Sequence, residues 1–578
     1  MPVTPQMIEV ALAALLHDVG KPYERTGVES ENLDHLFKYS HAGFTSRFFE
    51  DIQRDEGDCG WKGVSLVRIK TLASYHHNPS DTLQKLIATA DHCSAGERLA
   101  MDGNETRLPY GKSRRPLLSL FSQINLQPEK TNAEWWKYDP ASLARHDECV
   151  FPQPLGQPAE EGKEKYDRLH TEFYDRIRNL RNCPTALLVE AVMGVCRSSW
   201  SLIPSSARSD EVPDITLYDH SVVSAAIACA LFAQQQSETD ADKNRKKMLL
   251  VSGDVSGIQD FLLDLPNQAS PGTAKLLRAR SFYVTMLTRV AIVMILDRLG
   301  LPACNCLKDA GGQFTLLVPN TVAVHAELKK LRRELEEWTL RTFQGRLALI
   351  LSEPVEIDDA DFLEGRYGEF AEELKVQTDI AKKQKFRFAL QTGSGWNIDA
   401  ATMDTVPPDE RSLDKRLKQL GTALTSAKYI VLSRKTDDNP DHLHFFDTLT
   451  LDLQHRLENV SDALAVFEIN PENETTTFAA PYSMARHVPR LTQEEADELN
   501  KEKLPDEEEW RENQVRPFEL IAKSAEGVKC LAVLKADVDR LGQIFFHGLK
   551  KKKNATLSRF AVLSRFLNGV RPQNTVCN

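Results

Sequence analysis

The chain has 578 residues, 41% of them hydrophobic and 27% charged, which is the balance of a folded soluble protein with about three to five domains. A formal net charge of −11 argues against a general nucleic-acid coat but leaves room for a local basic groove. The N-terminus lacks the regions of a signal peptide, no apolar stretch approaches the ~20 residues that cross a bilayer, and ten cysteines are scattered without a framework. We therefore expect a cytoplasmic protein without a membrane partner.

The first predicted element is a helix formed by the apolar run from Ile8 to Leu16. Gly20 is expected to stop this helix, as a C-terminal glycine does. The helix delivers an adjacent His17 and Asp18 to its C-terminal end. An imidazole and a carboxylate side by side can hold a divalent metal.

Four more potential metal ligands follow in the first hundred residues, on segments that are also predicted to be helical. They are His41, His76, His77 and Asp91. Together they are similar to the signature of HD phosphohydrolases. Mixed nitrogen and oxygen ligands suit Mn, Ni, Fe or Zn better than Ca, and the ion would acidify a bound water and polarise a phosphodiester. The alternative is a helical domain with ordinary surface histidines, and His35 and His92 are expected to be bystanders. The expected metal ligands are His17, Asp18, His41, His76, His77 and Asp91, and the expected catalytic residues are His17, Asp18, Lys21, His76, His77 and Asp91, with Lys21 facing a phosphate.

A second pattern begins after a polar break at residues 234–247. It predicts a strand over residues 248–252, a long helix to Leu299, a hairpin from Cys304 to Val318, a helix from Val322 to Phe343 and a strand over residues 347–351. This order is typical of a ferredoxin-like or polymerase-palm unit. Glycines after a strand let the backbone approach phosphates, although a turn and a solvated helix face remain alternatives. The candidate nucleotide contacts are Ser252, Gly253, Asp254, Ser256, Gly311 and Gly312, with Lys275, Arg278 and Arg280 as phosphate contacts.

Short strands and an acidic helix, Gln493 to Asn513, are predicted next. A second strand, residues 529–536, then ends in Asp537 and Asp539. Carboxylates at alternate positions of a strand end can share Mg²⁺ with a triphosphate, although such a pair is frequent by chance. The strand looks like a diverged repeat of the one near residue 250, and residue 578 comes too soon to complete a second palm.

These motifs, in this order, resemble the large subunit of type III-A CRISPR effector (Csm) complexes. The segments that carry the resemblance are residues 14–21, 90–98, 215–221, 252–261, 277–283, 310–314 and 534–542.

The resemblance implies a multidomain α+β fold. An N-terminal α-helical HD domain is expected over residues 1–110 and a connector and helical region over 111–245. A ferredoxin-like, cyclase-like first palm is expected over 246–395. A small intervening domain without zinc cysteines (396–515) and the truncated start of a second palm (516–578) would follow.

The resemblance also implies activities and partners. The family cleaves single-stranded DNA at the HD site, with a divalent transition metal such as Mn or Ni. It also makes cyclic oligoadenylate from ATP and Mg between its palms, activated by target RNA. The expected partners are guide RNA and target RNA held through other Csm subunits, the small-subunit and backbone proteins, single-stranded DNA and ATP.

The chain departs from the family pattern at two places. It has no Gly-Gly-Asp-Asp motif, so we expect its cyclase to be inactive, and no cysteine lies between Cys306 and Cys530, so no zinc finger is expected. Two alternatives stay open, a non-catalytic scaffold subunit and an HD phosphohydrolase that acts on small nucleotides. The palm motifs in the same chain argue against the second.

Overall fold

The computed structural model describes most of the chain, and all structural statements below concern these residues. They are 3–28, 37–56, 60–95, 115–124, 134–143, 151–156, 162–206, 208, 211–237, 245–263, 273–392, 408–435, 442–458, 460–471, 478–482, 489–501, 509–530, 543–544, 548–549 and 555–569.

The N-terminal part is helical, with a small antiparallel sheet beside it. The predicted first helix is confirmed and spans Pro5–Leu16. The Thr4 side chain caps its start by accepting a hydrogen bond from the backbone N–H of Met7 at 3.2 Å. Gly20 does not end this helix but begins the next one, where a Cβ atom would lie 1.9 Å from the carbonyl oxygen of His41. The elements are α1 (Pro5–Leu16), α2 (Gly20–Arg25), α3 (Ser40–Glu56), α4 (Leu66–Ser74), α5 (Thr82–Ala95), β1 (Leu117–Leu118), β2 (Trp136–Tyr138), β3 (Gln153–Pro154), α6 (Gly162–Arg178), α7 (Leu188–Trp200) and α8 (Leu217–Ser237).

Helix α8 is the centre of the helical part, although it belongs to the predicted connector. It packs against both α1 and α5. Its small side chains, such as Ala225, Ala226 and Ala228, are fully buried and let the neighbouring helices approach closely. The residues predicted as a separate region therefore complete the core around the first helix.

A ferredoxin-like sheet follows, as predicted. Its strand order is β5-β6-β4-β7, and every neighbouring pair is antiparallel. The elements are β4 (Met248–Ser256), α9 (Ile258–Leu263), α10 (Thr273–Leu299), β5 (Cys306–Ala310), β6 (Gln313–Pro319), α11 (Val322–Phe343), β7 (Ala348–Leu351), β8 (Val355–Ile357, paired with β4), α12 (Asp359–Leu363), α13 (Tyr367–Lys383) and α14 (Arg387–Thr392).

Strand β4 is longer than predicted. The glycine and aspartate expected in a turn lie inside it, because β6 and β7 pair with it on both sides. A Cβ atom on Gly253 would lie 2.0 Å from the ring of Phe314 on the adjacent strand, so glycine is required there for close packing.

A second five-stranded sheet, of order β10-β11-β9-β12-β13, forms the intervening part. The acidic helix predicted to reach Asn513 ends at Lys501, and Asn513 has a positive φ of 65°. The predicted Asp537 and Asp539 lie outside the described residues. The elements are α15 (Pro408–Ala423), β9 (Tyr429–Arg434), β10 (Leu443–Phe445), β11 (Leu449–Gln454), β12 (Ala463–Ile469), β13 (Ala480–Tyr482), α16 (Gln493–Lys501), α17 (Phe518–Lys523) and α18 (Leu557–Gly569).

Two helices are long and apolar enough to cross a membrane by length and composition alone. This corrects the expectation that no apolar stretch approaches that length. The two helices are Leu217–Ser237 and the segment Lys275–Leu299, and their apolar windows are 83% and 78% buried inside the protein. Such burial is that of core helices.

Candidate metal centre

Three helices bring four potential metal ligands, two histidines and two aspartates, to one buried point. His17 and Asp18 follow α1, Asp91 lies on α5 and His220 lies on α8. Nε2 of His17 is 3.3 Å from Asp18 Oδ2 and 3.3 Å from Asp91 Oδ1. Nε2 of His220 is 3.3 Å and 3.2 Å from the same two oxygens. The four ligand atoms all lie within 4.8 Å of one another, which is the spacing of a cation site.

A histidine cluster adjoins this point on the side of α3. The imidazoles of His41, His76 and His77 form it, with ligand nitrogens within 4.8 Å of one another. Nε2 of His41 lies 2.8 Å from Nε2 of His77 and 3.7 Å from Asp18 Oδ1. Asp18 therefore lies between two groups of potential ligands, and these groups contain all six metal ligands predicted in the first hundred residues.

Three imidazoles in the two groups leave a ring nitrogen unused. Nε2 of His17, His76 and His220 is buried and makes no hydrogen bond. The opposite nitrogen is fixed in each case: Nδ1 of His17 and His76 donates to backbone carbonyl oxygens at 2.7 and 2.6 Å, and Nδ1 of His220 lies 2.8 Å from the Ser94 hydroxyl. A backbone oxygen only accepts, so when either of the first two rings is neutral its proton is on Nδ1 and Nε2 carries the lone pair that a metal needs.

The electrostatics of the pocket hold most of these groups in their ligating forms. Burial would raise the pKa of Asp18, but the charges of Lys21 and His17 keep it well below its usual range. Burial, reinforced by the charge of His17, lowers the pKa of His76 to about 3, so His76 is neutral. Burial also lowers the pKa of His17, but Asp18 and Asp91 outweigh it and raise the value to about 10. The metal-free chain therefore keeps a proton on His17 where a cation would sit.

Lys21 contacts a ligand rather than standing apart from the site. Its ammonium group binds the Asp18 carboxylate and donates to the carbonyl oxygen of Ser205 at 3.0 Å. Its side chain is 15% exposed. The charge of Lys21 thus lies beside the centre, where it also balances Asp18.

His220 is a potential metal ligand that the sequence did not predict. It lies more than a hundred residues beyond the others, outside the predicted HD domain, so no local spacing connects it with them. The available signal was a histidine in a helix of otherwise small and apolar residues, within one of the segments that carry the family resemblance.

The palm candidates from the sheet lie on its internal strand β4 and in the adjacent β5–β6 turn. Asp254 is buried, binds the amide of Gln313 and lies 2.9 Å from Nζ of Lys382. The backbone N–H of Val255 donates to the carbonyl oxygen of Gly312 at 2.9 Å, which places the Gly311–Gly312 turn beside the strand end. Ser252, Gly253, Asp254 and Ser256 share that strand.

The basic candidates on α10 contact the backbone of neighbouring helices instead. The buried Arg280 donates to the carbonyl oxygen of Phe261 at 3.0 Å, and Arg278 donates to that of Gly421 at 2.8 Å. The backbone of Lys275 is so close to Gly421 that a Cβ atom there would lie 2.1 Å from its oxygen. In the structure these residues stabilise helix packing, and a role in phosphate binding stays a prediction.

Two family models match the chain. A model described as HD domain matches residues 5–96, and one described as Csm1 subunit domain B matches residues 247–393. The first spans the six metal ligands predicted in the first hundred residues but not His220, and the second covers the ferredoxin-like sheet.

Curated relatives align with nearly the whole chain. One from Mycobacterium tuberculosis is 26% identical, over 98% of this chain and 73% of the relative. One from Thermococcus onnurineus is also 26% identical, over 95% of this chain and 69% of the relative. Both are named CRISPR system single-strand-specific deoxyribonuclease Cas10/Csm1 (subtype III-A).

Solved structures share the fold. A Csm1–Csm4 cassette in complex with one ATP superposes with a TM-score of 0.66 and 23% identity, covering 98% of this chain and 68% of that one. A cassette in complex with cA3 gives a TM-score of 0.65 at 21% identity with the same coverage. The chain is thus similar, along nearly its whole length, to the Cas10/Csm1 proteins of subtype III-A CRISPR systems and shares the fold of Csm1.

Proposed function

We propose that this chain is a metal-dependent nuclease that cleaves single-stranded DNA at the centre between α1, α5 and α8. The observation that carries the proposal is the set of three buried Nε2 atoms without hydrogen bonds beside two carboxylates. An unsatisfied buried polar atom costs about 1–3 kcal/mol, and bound metal ions would use these nitrogens as ligands. The relatives named as single-strand-specific deoxyribonucleases support the choice of substrate.

The residues divide into two ligand sets. His17, Asp18, Asp91 and His220 would hold one ion, and His41, His76 and His77 could complete the site of a second. Mixed nitrogen and oxygen ligands fit Mn, Ni, Fe or Zn. A bound ion would supply an acidified water and would polarise the phosphodiester.

The remaining side chains would orient and balance these groups. The backbone carbonyls that accept from Nδ1 fix the ring orientation of His17 and His76. Lys21 places a positive charge beside Asp18, where it would attract the phosphate of an incoming strand.

The test is removal of one ligand at a time. Asp18→Asn keeps the volume but removes the charge, and His220→Ala removes an imidazole, so both should abolish cleavage of single-stranded DNA in Mn²⁺ and lower the metal content. Asp175→Asn, at an exposed position on α6, and His92→Ala, at an exposed position next to Asp91, are the matched controls and should cleave normally. Full cleavage by Asp18→Asn would refute the proposal, whereas loss of activity with loss of helicity would call for His220→Gln.

We also propose that the ferredoxin-like palm binds ATP with Mg at the end of strand β4 that holds Asp254. The strand order and the solved relatives that contain ATP and cA3 favour this. Asp537 and Asp539 would bind the metal, but the sequence has no Gly-Gly-Asp-Asp. We therefore expect no cyclic oligoadenylate from this chain alone, which chromatography of an ATP reaction would check.

The same relatives suggest the setting of both activities. We propose that the chain works in a Csm complex, with guide RNA and target RNA bound through other subunits, as a cytoplasmic protein. A Csm1–Csm4 subcomplex among the structural neighbours supports one protein contact of this kind.

A further inference from the structure

Two exposed tyrosines lie on the segments that carry the histidine cluster of the metal centre. Tyr39 is 44% exposed and Tyr75 is 36% exposed, where most aromatic side chains of the described residues are buried. The Tyr39 ring centroid is 4.5 Å from that of His77 and 5.7 Å from that of His41. The ring of Tyr75 is 5.2 Å from the ring of Phe37.

The chain places these rings with the same short segments that deliver the ligands. Tyr39 is two residues before His41 at the start of α3, and Tyr75 is two residues before His77 in the turn that follows α4. Two ring contacts therefore join the segments at the same spacing: Phe37 contacts Tyr75, and Tyr39 contacts His77. The rings therefore lie beside the metal centre without being among its ligands.

The surroundings of the rings suit a polyanion. Nζ of Lys38 lies 5.4 Å from the centre of the Tyr39 ring, and Lys21 lies on the other side of Asp18. An aromatic face beside a cation is the arrangement that binds unpaired bases and the phosphates between them.

We propose that Tyr39 and Tyr75 form a base-stacking platform that holds a single-stranded DNA segment next to the metal centre. The bases of a duplex are stacked on each other and cannot reach the rings, so the platform selects unpaired strands. This inference rests on the proposed nuclease function, because it assigns a binding subsite to that centre. The phenol hydroxyls are not required, since stacking uses the ring faces.

The experiment measures binding separately from cleavage. Full-length chain is titrated into fluorescein-labelled oligo(dT) in EDTA, so that nothing is cut, and fluorescence anisotropy gives the dissociation constant. Tyr39→Ala and Tyr75→Ala should each weaken binding by about 5- to 150-fold, the range for losing one stacked base. Tyr39→Phe and Tyr75→Phe keep the rings and should bind like the original chain. Phe151→Ala removes a 66% exposed ring elsewhere and is the matched control.

Two further measurements separate stacking from shielding of the histidines. The alanine variants should retain their Mn content and their hydrolysis of bis(p-nitrophenyl) phosphate, which has no base to stack. They should also bind an abasic strand as the original chain does. Unchanged oligo(dT) binding, an equal loss for the abasic strand, or loss of Mn would each overturn the platform.

Failure of the nuclease proposal gives a different result. If the original chain cuts no single-stranded DNA with any divalent metal, the proposed activity is wrong. The binding difference in EDTA still decides the platform in that case, and lack of any oligo(dT) binding by the original chain would refute it.

Discussion

The imidazoles of the metal centre show at the level of single residues why the chain would bind a metal. Three of them, His17, His76 and His220, have one ring nitrogen held by a neighbour and the other buried without a hydrogen bond. Folding places two ionised carboxylates against these atoms, and their charges raise the pKa of His17 to about 10. A proton on His17 is thus the competitor of the metal ion.

We predict that Mn²⁺ affinity rises with pH between 6.5 and 8.5. Below its pKa of about 10, His17 is protonated in the metal-free chain, and binding must release that proton. One released proton strengthens the apparent affinity about tenfold for each pH unit. Titration calorimetry at three pH values gives the slope, and buffers of different ionisation enthalpy count the protons. A constant affinity over this range would show that His17 is neutral in the metal-free chain.

At the level of elements, α5, α8 and α18 meet behind His220. The Ser94 hydroxyl on α5 lies 2.8 Å from Nδ1 of His220 and 3.3 Å from the Ser558 hydroxyl on α18. Arg565 of α18 binds Asp219 at 2.6 Å, next to that histidine in the chain. The C-terminal helix is therefore attached to the helix that carries the missed ligand, and Ser94 orients its ring.

We predict that Ser94→Ala weakens metal binding by about 10- to 100-fold, the usual effect of removing a group that orients a ligand. Ser224→Ala is the matched control, because Ser224 donates to the backbone oxygen of His220 at 2.8 Å and leaves the ring untouched. Both variants should keep the helix content of the original chain. Equal affinities of the two variants would mean that packing alone positions the ring.

Local signals decided which elements could be predicted. Helix α11 has the predicted bounds, because the Thr321 side chain caps its start and Gln344 ends it in the left-handed region. The hairpin turn is marked by Gly311 and Gly312, both with positive φ. Strand β4 was predicted four residues too short, since its end is set by pairing with β6 and β7, which no local pattern contains.

At the level of the whole molecule, the helical part and the palm share one hydrophobic core. A single cluster of buried residues contains Leu12 of α1, Ala226 of α8 and Leu317 of β6. Cysteines meet across the same contact, where Sγ of Cys229 lies 3.9 Å from Sγ of Cys304. Composition marks a break at residues 234–247 and motifs mark the HD segment, but neither shows that α8 packs against α1. The predicted boundary at residue 110 thus cuts through the metal centre.

We predict that a fragment of residues 1–110 neither folds cooperatively nor binds Mn²⁺ like the full chain. It keeps all six metal ligands predicted in the first hundred residues, but it lacks His220 and the helix that packs against α1. Leu12 and Leu15, fully buried in the full chain, lose a packing partner. Circular dichroism melts and Mn²⁺ titrations compare it with residues 1–237, which restore α8 and should bind at least about tenfold more tightly. If the shorter fragment melts cooperatively and binds as tightly, α8 is dispensable and His220 is not a ligand.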